Sequence, residues 1–136
     1  MFKCNNCPIC PYIKTDKLIK AHSSDCKVEL TKRNTCQSKN LVYVISWSKC
    51  GLQYVGETEK SLQTRFSQHL GYVRNDHLNK ATGQHFNLPG HSLDNMKVSV
   101  IETINNKSEF YRKNREKHYI EKLNTKYKGP NRNQKR

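Results

Sequence analysis

Leu41-Val42-Tyr43-Val44-Ile45-Ser46-Trp47-Ser48-Lys49-Cys50-Gly51-Leu52-Gln53-Tyr54-Val55-Gly56 is the stretch whose reading decides the fold of this chain. Its two ends are runs of β-branched and aromatic residues of the kind that form buried strands, and Ser46 to Gly51 between them has turn chemistry. The pattern predicts a β-hairpin over about 39 to 56, with Tyr43 and Tyr54 on neighbouring strands. Gly56 is expected to leave the backbone bare where the second strand ends, so that a phosphate can approach it.

Downstream of the hairpin the hydrophobic period changes. Ser61 through Val73 reads as a helix, with Leu62, Phe66, Leu70 and Val73 on one apolar stripe and Arg65 and His69 on the next. Asn75 to Asn95 is polar and punctuated by Gly83, Pro89 and Gly90, with a short helix expected around Ala81 to Phe86. Met96-Lys97-Val98-Ser99-Val100 alternates as a third strand running on into Ile101. Ser108 is placed to cap a long helix to about Asn124, with Glu109 in the first turn where the helix dipole favours it. Gly129-Pro130 ends that helix, and Asn131 to Arg136 is a basic tail.

A chain of 136 residues has room for one modest domain and an appendage, and none for a polymerase. Lys and Arg number 25 against 11 Asp and Glu, a formal charge of +14, so the natural partner is a polyanion. No segment is long or apolar enough to span a bilayer, and no basic amphipathic helix with a strong apolar face stands out, which favours nucleic acid over a membrane. Met1-Phe2-Lys3-Cys4 offers no apolar stretch of secretory type, so the protein is read as intracellular and its six cysteines as reduced thiols. The rival, a small secreted domain with three disulfides, is set aside for that reason.

Residues 1 to about 38 hold most of the cysteines and show no sustained periodicity, which points to a small knuckle held by something other than a core. Cys4-x-x-Cys7-x-x-Cys10 brings three thiols together in the way a metal site needs. The expectation is a structural Zn²⁺ site with four ligands drawn from Cys4, Cys7, Cys10, Cys26, Cys36 and Cys50, with His22 as a substitute. Cys7 and Cys10 are the firmest pair, because two-residue spacing lets both thiolates face one tetrahedral ion.

Taken in order, these residues resemble the GIY-YIG endonuclease domain of Penelope-like retroelements. The likeness is carried by Tyr43, by Tyr54-Val55-Gly56-Glu57-Thr58, by Leu62, Arg65 and His69, and by Gln84-His85-Phe86-Asn87 with Pro89-Gly90-His91-Ser92. Glu116 with Ile120 and Leu123, then Asn131, continue it, and the cysteine-rich segment lies just upstream, so it runs from about Cys4 to Asn131. The first motif departs from the family pattern, with Val42 in place of Ile and Leu41 where Gly is usual.

What the resemblance implies is an α/β (α+β) fold: a small three-stranded antiparallel sheet flanked by helices over 39–131, after a zinc-binding segment 1–38 and before a basic tail 132–136. It implies a metal-dependent DNA endonuclease that nicks target DNA for retroelement integration, nuclear in that setting, and either a fragment of a larger protein with a reverse transcriptase or a stand-alone remnant. Glu116 would be the ligand of Mg²⁺ or Mn²⁺, and Arg65 would offer its planar fork of donors to the phosphate. Tyr43 would stand near the attacking water as general base, which needs surroundings that lower the phenol pKa from about 10; Arg65 and the cation are candidates for that. Tyr54 would orient the scissile phosphate, and His69 would assist proton transfer or bond a catalytic phenol. Asn131, or Asn133 close by, would close the domain; Cys36 would join Cys4, Cys7 and Cys10 on zinc; His85, Phe86 and His91 would line the DNA groove or support the cleft.

Two plainer readings stand beside these. Glu116 in an arbitrary helix would be a solvated carboxylate paired with Arg112 one turn earlier. The whole chain would equally suit a catalytically inactive, zinc-containing DNA-binding module, since charge and cysteines fit both.

Overall fold

The alternation in Leu41–Trp47 gives one strand two apolar faces, and the rest of the fold is laid against them. The computed structural model describes residues 1, 3–4, 7–16, 18–21, 26–30, 33–47, 51–74 (side chains to 71), 95–105, 108–123 and 125. After a 3-10 turn at Cys10–Tyr12 come β1 (Leu18–Lys20), β2 (Lys27–Glu29), β3 (Leu41–Trp47), β4 (Gln53–Thr58), α1 (Leu62–Arg74), β5 (Met96–Thr103) and α2 (Glu109–Lys122). The mixed α/β architecture is the expected one: an antiparallel sheet ordered β4-β3-β5, with helices against it.

Register follows from the alternation. Tyr43 lies opposite Gly56 on β4 and Val100 on β5, while Ile45 lies opposite Tyr54 and Val98, so both tyrosines share one face of the sheet. That face carries Leu41, Tyr43, Ile45 and Trp47 into a core with Leu62, Phe66 and Leu70 of α1. Val42, Val44 and Val55 point the other way, onto Tyr119 and Ile120 of α2 and Leu123 that caps it. Burying side chains of this size contributes roughly 1.5–3 kcal/mol each, so the two faces together define the fold.

Helix starts are set by serines. Ser61 Oγ accepts from the Thr64 N–H at 3.2 Å, and Ser108 Oγ accepts from the Tyr111 N–H at 3.4 Å. Glu109 lies in the first turn of α2 and Lys122 in the last, each suiting the helix dipole. Asn40, at φ 52, occupies the left-handed region that Asn tolerates, and ties three elements at the mouth of β3. Its carbonyl accepts from the Ile104 N–H at 2.8 Å, and its side-chain oxygen accepts from Arg112 at 2.9 Å.

Two expectations are revised. The second hairpin strand runs through Gly56 to Thr58, so this glycine sits within the strand. The cysteine-rich segment is no core-free knuckle: Met1, Ile9, Cys10, Ile13 and Cys36 join the Tyr43 face, and Ile19, Ala21 and Val28 join the α2 face. Strands β1 and β2, three residues each, are too short to show a period in the sequence. The short helix expected around Ala81 to Phe86, the end of α2 at Asn124 and the basic tail lie outside the described residues. Among the described residues no helix is long and apolar enough to cross a membrane.

Candidate active site and thiol cluster

Two tyrosines on one sheet face meet one histidine from the helix above them. The Tyr43 hydroxyl lies 2.6 Å from His69 Nε2, with the rings edge to face at 5.7 Å, and the Tyr54 ring meets His69 at 5.4 Å in the same manner. His69 reaches them because Phe66 and Leu70 seat α1 on the sheet, turning position 69 inward. The imidazole is 2 % exposed, the Tyr43 ring fully buried and Tyr54 nearly so. Gly56 makes the arrangement possible. A Cβ there would stand 2.4 Å from both Cζ and Oη of Tyr43, so the bare backbone makes room for the phenol, where the sequence suggested room for a phosphate.

Burial fixes the protonation states. It holds His69 down to about 3, helped by the neighbouring Arg65 charge, so the imidazole is neutral near pH 7. Burial pushes Tyr43 well above the usual phenol value; Tyr54 and Glu116 add to that and Arg65 opposes it. A phenol acting as an unaided base is therefore not what these residues create by themselves. The pair rests as neutral phenol against neutral imidazole.

Arg65, half-buried on α1, acts electrostatically on both Tyr43 and His69, and its Nη1 donates to Gln68 Oε1 at 2.8 Å. Glu116 comes from the helix on the opposite face. α2 packs chiefly against β4, the edge strand, and there Glu116 is close enough to raise the Tyr43 pKa. This carboxylate is only 4 % exposed. A hard cation fits that donor, since Mg²⁺ is commonly held by one or two carboxylates and completed by substrate phosphate oxygens. Arg112, the partner weighed for Glu116, donates to Glu57 Oε2 at 2.6 Å and to Asn40 at 2.9 Å, anchoring α2 to β4. Sequence reasoning passed over Asn40 and the Glu57–Arg112 pair, because the joint exists only once β3, β4 and α2 are assembled.

Tyr43, Tyr54, Gly56, Arg65 and His69 thus come together on one face of the sheet, and Glu116 acts on Tyr43 from the helix on the other face. Asn131, Asn133, His85, Phe86 and His91 lie outside the described residues. A cleft of about 880 Å³ opens elsewhere, beside the start of α1, lined by Gln37, Lys39, Lys60, Ser61 and Thr64, with none of the gathered residues on its wall.

The second constellation is sulfur. The Sγ atoms of Cys4, Cys7, Cys10 and Cys36 all lie within 4.8 Å of one another. Cys7 is 3.2 Å, Cys36 3.7 Å and Cys4 3.9 Å from Cys10. Tetrahedral zinc with bonds of about 2.3 Å places its sulfurs about 3.8 Å apart, so the four match such an ion. None of the four is in a disulfide. A hydrogen bond from Cys7 holds Cys10 at about 6, while burial pushes Cys7 and Cys36 up. Cys26 packs against the opposite core, away from this group, and Cys50 and His22 lie outside the described residues.

A sheet whose phenols meet an imidazole from one helix, with a buried carboxylate arriving from another, places the protein among small α/β catalytic domains. The family follows from comparison: the model of the GIY-YIG catalytic domain matches residues 39–128, and the chain belongs to that family, whose members are metal-dependent nucleases acting on DNA. No curated protein and no solved structure matches the chain.

Proposed function

We propose that this protein is a metal-dependent DNA endonuclease of Penelope-like type, nicking target DNA for retroelement integration. Its place is the nucleus, with a reverse transcriptase as part of the same larger protein. Its plan is a zinc-bearing segment 1–38, a catalytic domain 39–131 and a basic tail 132–136. The observation that carries the nuclease reading is the meeting of Tyr43, Tyr54 and His69, under the charges of Arg65 and buried Glu116, in a GIY-YIG domain.

Glu116 would hold the catalytic Mg²⁺ or Mn²⁺, which supplies charge to a phosphate oxygen and acidity to water. Arg65 binds a non-bridging oxygen of the scissile phosphate, where its fixed charge offsets the extra negative charge of the pentavalent state. Tyr54 orients that phosphate. Tyr43, hydrogen-bonded to His69 Nε2, would position the attacking water, whose acidity the cation would raise. An unaided phenolate base is disfavoured by the raised Tyr43 pKa, and an imidazolium by the His69 value of about 3. Zinc held by Cys4, Cys7, Cys10 and Cys36 would be structural.

The test is conversion of supercoiled plasmid by zinc-loaded protein, with Mg²⁺ or Mn²⁺ added or omitted, for wild type and Glu116→Gln. Cation-dependent nicking that falls at least about 100-fold in the variant, with duplex affinity retained, is expected. A variant that still cuts removes Glu116 from the site. Tight binding by folded wild type without any cutting makes the protein a binding module.

A further inference from the structure

Helix α1 carries both Arg65 and His69, so whatever holds its first turn decides where those groups point. The cysteine loop holds it. The Leu62 N–H donates to the Ser38 carbonyl at 3.0 Å and the Gln63 N–H to the Cys36 carbonyl at 2.9 Å. Two of the N–H groups that every helix start leaves without an intrahelical acceptor are thus capped by main chain from a distant segment. The Gln37 side chain adds a clasp, donating to Gln63 Oε1 at 2.5 Å while lying 3.9 Å from Cys4 Sγ. A second path runs from the knuckle to the helix through Tyr12, whose ring meets Phe66 at 5.5 Å.

Cys36 is fully buried in the core that also holds Phe66 and Tyr43. Its sulfur lies 3.7 Å from Cys10 Sγ and also meets the thiols of Cys4 and Cys7 and the Cys4 main chain. Such contacts are weak, whereas four bonds to one ion would tie positions 4, 7, 10 and 36 into a single rigid unit.

We propose that the four-cysteine site is a metal-dependent cap for α1: a tetrahedral, thiol-seeking divalent cation fixes the Cys36 to Ser38 loop, whose carbonyls set the helix start and so place Arg65 and His69. The proposal rests on reading the four thiols as a metal site. It makes Cys36 and Ser38 positioning residues, acting through main-chain oxygens on a helix that bears the phosphate-binding charge. Helix α2 is held separately, by Arg112 on Glu57 and by Arg115 on Glu102, and has no part in the cap.

The experiment is amide hydrogen exchange on the full chain, zinc-loaded and then stripped under reducing conditions, with metal content measured alongside. On stripping, protection at Leu62 and Gln63 is expected to fall at least about tenfold while Tyr119 and Ile120 in α2 keep theirs. Cys4→His, which preserves four ligands, keeps both metal and protection; Cys4→Ala loses both. Protein that binds no zinc overturns the thiol reading and the cap together. One zinc per chain with Leu62 and Gln63 unchanged after stripping overturns the cap alone. Uniform loss of protection, α2 included, also overturns it, because the ion is then a staple for the whole fold. None of these readings depends on cleavage, so an inactive protein leaves the result standing.

Discussion

A methyl group on Gly56 would lie 2.4 Å from two atoms of a phenol that has no room to retreat. Gly56→Ala is therefore expected to destabilise by about 1–3 kcal/mol, read from urea unfolding, with much of the loss recovered when Tyr43→Leu shortens the opposing side chain. The hairpin was legible in the sequence because β-branched and aromatic runs flank a turn. The Tyr43–Gly56 contact was not, since register is a property of two strands and not of either one. His69 gives a second expectation. Its folded value of about 3 lies below the unfolded value of about 6.5, so between those limits the unfolded chain binds the extra proton. Stability from the buried neutral imidazole is complete above about pH 6.5 and is lost as pH falls toward about 3. His69→Gln should flatten that loss: between pH 7.5 and 5 its urea midpoint should fall less than that of wild type, a comparison in which the acid sensitivity of the thiol site cancels.

Between elements, polar joints set the angle at which helices meet the sheet. Arg112 reaches from α2 to Glu57 on β4 and to Asn40 at the mouth of β3, and Arg115 forks onto Glu102 of β5, which also accepts from Tyr119. The first joint is buried, so Arg112→Ala leaves Glu57 without its guanidinium and is expected to cost about 3 kcal/mol in chemical unfolding. Cleavage should fall further than lost stability explains, because Glu116 rides on the same helix. Arg115 and Glu102 are partly exposed, and their fork contributes less. Both helices were legible, the first from its apolar stripe and the second from its Ser108 cap. That α2 would lie on the face opposite α1, sending Glu116 past the edge strand, was not, because an apolar stripe names no partner.

Across the whole molecule the charge of +14 is the dominant electrostatic fact. Glu57, Glu102 and Glu109 are held by bases within the fold, which leaves the surrounding field strongly cationic. Duplex affinity should fall by about 10³-fold or more between 50 and 200 mM salt when six or more phosphates are neutralised, measurable by fluorescence anisotropy on a short duplex. Affinity unchanged over that range would remove counterion release as the driving force. The charge and the cysteine cluster were plain from composition, yet the place of the cysteine segment was not. Ile13 bridges Val98 of β5, the Lys14 N–H donates to the Val98 carbonyl at 2.9 Å, and Ile9 is wholly buried. Seen as heredity, that packing makes the stretch before residue 39 a poor candidate for shuffling. A recombinant gene that began there would encode a domain missing part of the apolar cover on both faces of its sheet.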